Sequence, residues 1–148
     1  MTPASQAEAN AALIRRVYKE LFWDWDLASV DRWFSPDFHS SEMPSGIPRG
    51  PDGVRQFYAT IRSSFPDLKY SVEDVIAEDD KVVVRWRWIA THTGTFRGLS
   101  PTGRHASLTG IAIYKVVDGK LVQRWVEGNV LGLLLGLGAE VRAPNAQP

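Results

Sequence analysis

"KVVVRWRWIATHTG", Lys81 to Gly94, is the stretch that decides the fold. Val84, Trp86, Trp88 and Ala90 fall on one face together with His92, while Arg85 and Arg87 share the other. A period of two held over this length marks a half-buried β-strand, not a helix. Upstream, "LKYSVEDVIAE" from Leu68 to Glu78 is a second strand, joined to the first by the acidic turn Glu78–Asp79–Asp80. Downstream, "HASLTGIAIYKVV" and "KLVQRWVEG" are two more. Asp118–Gly119 between them is a hairpin signal, because both central positions of that turn favour positive φ. The connection "TGTFRGLSPTGR", residues 93–104, is longer and reads as a loop wrapping over a sheet edge.

Before Pro66 the period is helical. Leu13, Ile14, Val17, Tyr18, Leu21, Phe22 and Trp25 form one apolar stripe, with Arg15, Arg16, Lys19 and Glu20 opposite. "DLASVDRWFSPDF" predicts a second short helix with Val30, Trp33 and Phe34 inward, stopped before Pro36. "FHSSEMPSGIPRGP", from Phe38, holds at most a short extended piece and then a loop. A third helix starts near Pro51 and Asp52, buries Val54, Phe57, Tyr58, Ile61 and Phe65, and stops at Pro66. A last short helix spans Val130 to Leu137, and the ends, about residues 1–6 and 140–148, read as frayed. Helices followed by an antiparallel meander define one α+β domain over residues 1–148: a cone-shaped α+β barrel with N-terminal helices packed on a curved, mainly antiparallel sheet.

The 148 residues suffice to bury about two-thirds of the unfolded surface of one domain. Seventeen basic and 17 acidic residues cancel, so no global field draws the chain to nucleic acid or to anionic lipid. With no cysteine, disulfides, thiolate catalysis and cysteine-rich zinc sites are excluded. His39, His92 and His105 lack tight ligand spacing, so no metal site is expected, and no phosphate-cradling glycine motif joins a strand to a helix. The start, "MTPASQAEANAAL", lacks the charged and apolar regions of a secretory signal. No apolar run approaches the roughly 18 residues of a membrane span. A cytoplasmic protein is the expectation. Six tryptophans, six phenylalanines and four tyrosines can fill a core or line a pocket for a flat ligand.

Four phrases, "FPDLKYSVEDVIAEDDKVVVRWRW", "THTGTFRGLSPTGR", "TGIAIYKVVDGKLVQRW" and "LGLLLGLG", occur in this order between Phe65 and Gly138. In them the chain resembles the SnoaL-like polyketide cyclase group of the nuclear-transport-factor-2-like superfamily. The resemblance implies a cofactor-free protein with an apolar pocket, binding a small molecule and paired as a homodimer through the outer sheet face. Members of that group cyclise polyketides by an intramolecular aldol step; relatives on the fold isomerise ketosteroids, dehydrate, open epoxides or only bind. The family pattern places an acid directly after the strand tryptophan and often another three positions on, where this chain has Val126 and Asn129. A mid-strand acid of many relatives is replaced by Ala112, and a histidine usual near Ser41 stands instead at His39.

Glu127 is the acid that remains beside the expected position, suited to general acid or base work if buried. Alternation, however, places it on the face of Trp125, opposite Val126, unless a bulge at Gly128 reverses the parity. Asn129 could support an oxyanion, or cap the helix starting at Val130. His92 could move a proton near neutral pH, or bond to the following loop. His39 and Glu42 could reach the pocket, but on an extended segment they point to opposite faces. Tyr58 could offer its hydroxyl, and Trp86 and Trp88 could line the cavity. Arg85 and Arg87 read as outer-face charges pairing with Glu73 or Lys115 across strands.

These readings combine into a cofactor-free cyclase or isomerase acting by proton transfer on an apolar, oxygenated, polyketide-like metabolite. Glu127 or His92 serves as base or acid and Asn129 or Tyr58 supports the oxyanion, with His39, Glu42, Tyr58, Trp86 and Trp88 as substrate contacts. The alternatives are an epoxide-opening enzyme, requiring Glu42 or Glu127 inward, and a non-catalytic binder, requiring a cavity without titratable groups.

Overall fold

The computed structural model of the chain describes residues 2–145. Helix α1, Pro3–Val17, starts with proline in its first turn, and the Thr2 hydroxyl accepts from Ser5 N–H at 3.2 Å. Residues 3–6 are therefore helical; of the ends read as frayed, Met1 and residues 146–148 lie outside the described residues. The expected long stripe does not continue as α-helix. Tyr18–Trp23 is a π-helical turn, whose wider winding faces Tyr18, Leu21 and Phe22 all inward. Trp25 lies beyond it at φ 57 and donates its indole N–H to Leu68 O at 3.0 Å.

Helix α2, Ser29–Trp33, is followed at once by strand β1, Phe34–Ser40, which includes Pro36. Helix α3 is Pro51–Ser64. The remaining strands are β2 (Lys69–Glu78), β3 (Lys81–Thr91), β4 (His105–Val117) and β5 (Lys120–Gly128), before helix α4 (Val130–Gly136). Asp118 and Gly119 adopt φ 50 and 72, as their hairpin requires. The sheet runs β1-β5-β4-β3-β2, with β1 parallel to β5 and every other pair antiparallel. It is mixed and does not close into a barrel, since β1 and β2 remain as edges. Helix α1 packs against β2 and β3, α3 against β1, and α4 against β4.

Two irregularities decide which side chains face the helices. Val72 and Val75 are both half-buried although three residues apart, because the β2–β3 register shifts between Val72 and Asp74. Leu121 and Arg124 are both buried because β5 carries an extra residue, Val122, opposite the Lys115/Val116 step. Each bulge inverts the alternation beyond it. The outer face, by contrast, has no covering layer among the described residues. Ile76, Val83, Ile113 and Trp125 lie in register across four strands there, and Ile89 and Ile111 are exposed beside them. No helix among the described residues is long and apolar enough to cross a membrane.

Candidate active site

Between the inner sheet face, α3 and α4 lies a cavity of about 580 Å³. Its walls include Phe57, Tyr70, Trp86, Trp88, Val126 and Leu133. Glycine and alanine on β4 make room for the aromatic lining. A side chain at Gly110 would overlap the Trp86 indole, and Ala112, fully buried, is the small neighbour of Val126.

Beyond Ser40, the chain leaves β1 with Ser41 N–H donating to Arg124 O at 3.0 Å. Ser41 Oγ in turn accepts from Val126 N–H at 3.1 Å, which fixes this crossing. Glu42, next along, borders the cavity and forms an ion pair with Arg124. Arg124 is only 1% exposed, and its guanidinium lies 5.6 Å from the Tyr114 ring and 5.9 Å from the Trp86 ring. Burial pulls its ionisation below the ordinary range, opposed by the Tyr18 hydroxyl beside it; an arginine nonetheless stays cationic. The Tyr18 and Tyr114 hydroxyls lie 3.1 Å apart. Burial pushes the phenols of Tyr18, Tyr58, Tyr70 and Tyr114 upward, so all four keep their protons at neutral pH.

Glu127 follows Trp125 on the strand, in register with Ile111 and, through it, with Arg85. It borders a second, more open concavity of about 610 Å³ on the outer face, together with Glu73, Arg85, Arg87 and Asn129. Trp86, Glu127 and Gly128 border both concavities, since Gly110 and Gly128 leave the sheet thin there. The Asn129 side chain accepts from Gly132 N–H at 3.0 Å and caps α4. Arg85 pairs with Asp74 at 2.7 Å on the exposed face.

His92 is fully buried and is not part of the cavity wall. Its Nδ1 accepts from Thr102 N–H at 3.3 Å, lies 3.0 Å from the Thr102 hydroxyl, and so holds the loop back against β3. His39, on β1 opposite Phe38 and Ser40, is likewise outside the cavity wall, with Nδ1 enclosed and unpartnered. Tyr58 is buried in a cluster with Phe22 and Phe57, behind the lining. Trp86 and Trp88 do line the cavity. The structure therefore gathers Glu42, Glu127, Trp86 and Trp88 on the cavity wall, and leaves His39, His92 and Tyr58 apart from them.

Sequence reasoning passed over Arg124 and Tyr70. Arg124 had a usable signal: it is a basic residue on the face opposite Trp125, the face Val126 shares. Among the described residues no group of three His, Asp or Glu side chains converges as a metal site would require.

An open α+β sheet with an aromatic cavity and an inward carboxylate defines a small-molecule pocket protein. The model of the SnoaL-like polyketide cyclase family matches residues 12–137, and the chain belongs to that family. It is 26% identical over 100 residues to nogalonic acid methyl ester cyclase of Streptomyces nogalater, covering 62% of this chain and 70% of that one. The crystal structure of AclR, a candidate hydroxylase from Streptomyces galilaeus, is 31% identical with a TM-score of 0.75, covering 94% of this chain and 86% of that one. IdmH, a candidate polyketide cyclase from Streptomyces antibioticus, is 29% identical with a TM-score of 0.73, covering 86% and 97%.

Proposed function

We propose that the chain cyclises a polyketide-like substrate by an intramolecular aldol step, with Glu42 as the group that moves the proton. The observation that carries this is the Glu42 carboxylate on the cavity wall, backed by the buried Arg124 guanidinium. Glu42 takes a proton from a carbon flanked by carbonyls, the enolate carbon attacks a second carbonyl, and Glu42 returns the proton to the new alkoxide. The product is an isomer of the substrate, and the step uses only the chain's own groups. Tyr70, a neutral phenol on the cavity wall, is the proposed donor to the developing oxyanion. Glu127 and His92, the bases expected from sequence, are not assigned that role: Glu127 borders the cavity but opens to the outer face too and lacks the buried guanidinium that backs Glu42, and His92 is enclosed behind its loop.

A panel of polyketides, beginning with the substrate in the relative's name, nogalonic acid methyl ester, tests this. Glu42→Gln keeps an acceptor oxygen for Arg124 but lowers kcat by about 10²- to 10⁴-fold, whereas Glu127→Gln leaves it within about twofold. Undiminished turnover in E42Q overturns the assignment.

The same inward Glu42 supports a second reading, protonation of an epoxide oxygen. Labelled water separates the two: hydrolysis incorporates the label and cyclisation does not. A titratable group on the wall argues against binding alone.

The apolar row Ile76–Val83–Ile113–Trp125 supports a homodimer through the outer face. Light scattering is expected to give twice the chain mass, and Ile113→Asp to halve it. A monomeric wild-type protein sinks the proposal.

A further inference from the structure

We propose that Arg97 recognises a carboxylate at the rim of the cavity, so that the chain prefers a polyketide-like ligand with a free carboxylate over the same ligand as an ester. The inference rests on reading the inner cavity as the substrate site.

Arg97 borders the cavity at the tip of the β3–β4 loop. The tip is a tight hairpin: Phe96 N–H donates to Leu99 O at 3.0 Å, and Leu99 N–H to Phe96 O at 2.8 Å. Its two central residues, Arg97 and Gly98, have φ 47 and 80. Asn or Gly would fill the first position at lower conformational cost; arginine there accepts the strain and presents a long cationic side chain. The loop is also anchored to the end of α3. Thr93 and Gly94 N–H donate to Ser64 O at 3.1 and 3.0 Å, and Ser64 Oγ donates to Thr95 O at 2.6 Å.

The guanidinium lies 5.5 Å from the Phe96 ring centre. Phe96 packs 5.1 Å from Phe65, and Phe65 packs 5.1 Å from Trp88. This chain of edge-on and tilted aromatic contacts runs from the rim to the cavity wall. A guanidinium over a ring is held by cation–π attraction, which uses none of its N–H donors. Among the described residues no ion pair reaches Arg97.

The charges bordering the cavity are then unequal in state. Of the three charged residues on the wall, Glu42 is matched by Arg124 and Glu127 opens to the outer face as well, whereas Arg97 is the one cation and has no ion-pair partner among the described residues. Glu42 and Arg97 also belong to different ends. Glu42 lies beside Val126, which pairs with Ala112; the loop bearing Arg97 joins β4 near Ala106. Those two alanines are six residues apart on β4, about 20 Å at ordinary strand rise. A flat ligand reaching Glu42 with its reacting carbons can thus place a remote group at the rim. One guanidinium fork with no second cation beside it fits a planar monoanion, a carboxylate.

The probes are anthraquinone-2-carboxylate and its methyl ester, titrated against the full chain by tryptophan quenching, since Trp86 and Trp88 line the cavity. The wild type is expected to bind the carboxylate about five- to tenfold more tightly than the ester. Arg97→Gln removes that preference and leaves ester affinity unchanged, while Arg97→Lys keeps part of it. Equal wild-type affinities, or a preference that survives in R97Q, overturn the proposal; failure of both probes to bind overturns it together with the cavity as ligand site. Glu42→Gln retains the preference, so the proton-transfer assignment and the rim contact fail or stand separately.

Discussion

Glu42, two residues past the end of β1, pairs with Arg124 on the adjoining strand β5, yet the two are unequally buried: the Arg124 side chain is 2% exposed and that of Glu42 28%. Removing one partner of a buried pair costs about 3–5 kcal/mol because the other charge is stranded. Here the two deletions should differ. Arg124→Met leaves a carboxylate that water can reach, at about 2 kcal/mol, whereas Glu42→Ala leaves an enclosed guanidinium and costs about 3–5 kcal/mol. Denaturant midpoints of the two variants give the order. The reverse order would show that water reaches the guanidinium.

Gly110 is held small by the Trp86 indole. A methyl group there would overlap the indole ring and approach Glu127 O at 2.9 Å, so both a side chain and a neighbouring strand must move. Gly110→Ala should cost about 1–3 kcal/mol, the usual penalty of overpacking. Because Trp86 lines the cavity, it should also weaken ligand quenching. A variant with wild-type melting temperature and wild-type ligand affinity would mean that the strands part freely at this point.

Asp67 ties the end of β3 to the turn before β2, accepting from Thr91 N–H and from the Thr91 hydroxyl, each at 2.7 Å. The Thr91 backbone N–H, more than any other group, holds the Asp67 carboxyl below its ordinary 3.8. A carboxylate lowered on folding stabilises above its unfolded value and loses that contribution as pH falls through the folded one. Asp67→Ala should therefore cost about 1 kcal/mol at neutral pH, a modest figure because the site is exposed. The gap in melting temperature between wild type and variant should close below 3.8 and stay constant above it. A gap that persists undiminished in acid would remove Asp67 from the account.

Much of the framework was legible because it rests on local signals. The alternation of Val84, Trp86, Trp88 and Ala90, the Asp118–Gly119 turn, and the stripe on α3 ended by Pro66 each act within a few residues. The Asn129 cap belongs here too: asparagine before an apolar run was readable as a cap, and its side chain makes that bond. Strand β1 was harder to read. Pro36 and two serines disguise it, and it exists as a strand because β5 supplies its hydrogen bonds from more than 80 positions away. The π-helical turn at Tyr18–Trp23 breaks the stripe for a similar reason, as packing against β2 outweighs local α-helical winding.

By itself, then, the sequence determined the α+β class, most of the strands and helices, and the resemblance to a cyclase family. Period, turn chemistry and capping are properties of neighbouring residues, so a linear reading reaches them. The tertiary structure alone decided which polar groups meet. Val122, one extra residue in β5, turns Arg124 inward, and the parallel pairing of β1 carries Glu42 to meet it. Neither event has a local signature, because each depends on a register set by strands distant in the chain. Glu127 and Glu42 both border the cavity, and the sheet distinguishes them: Glu127 also continues the outer row of Arg85 and Ile111, whereas Glu42 has a buried guanidinium behind it.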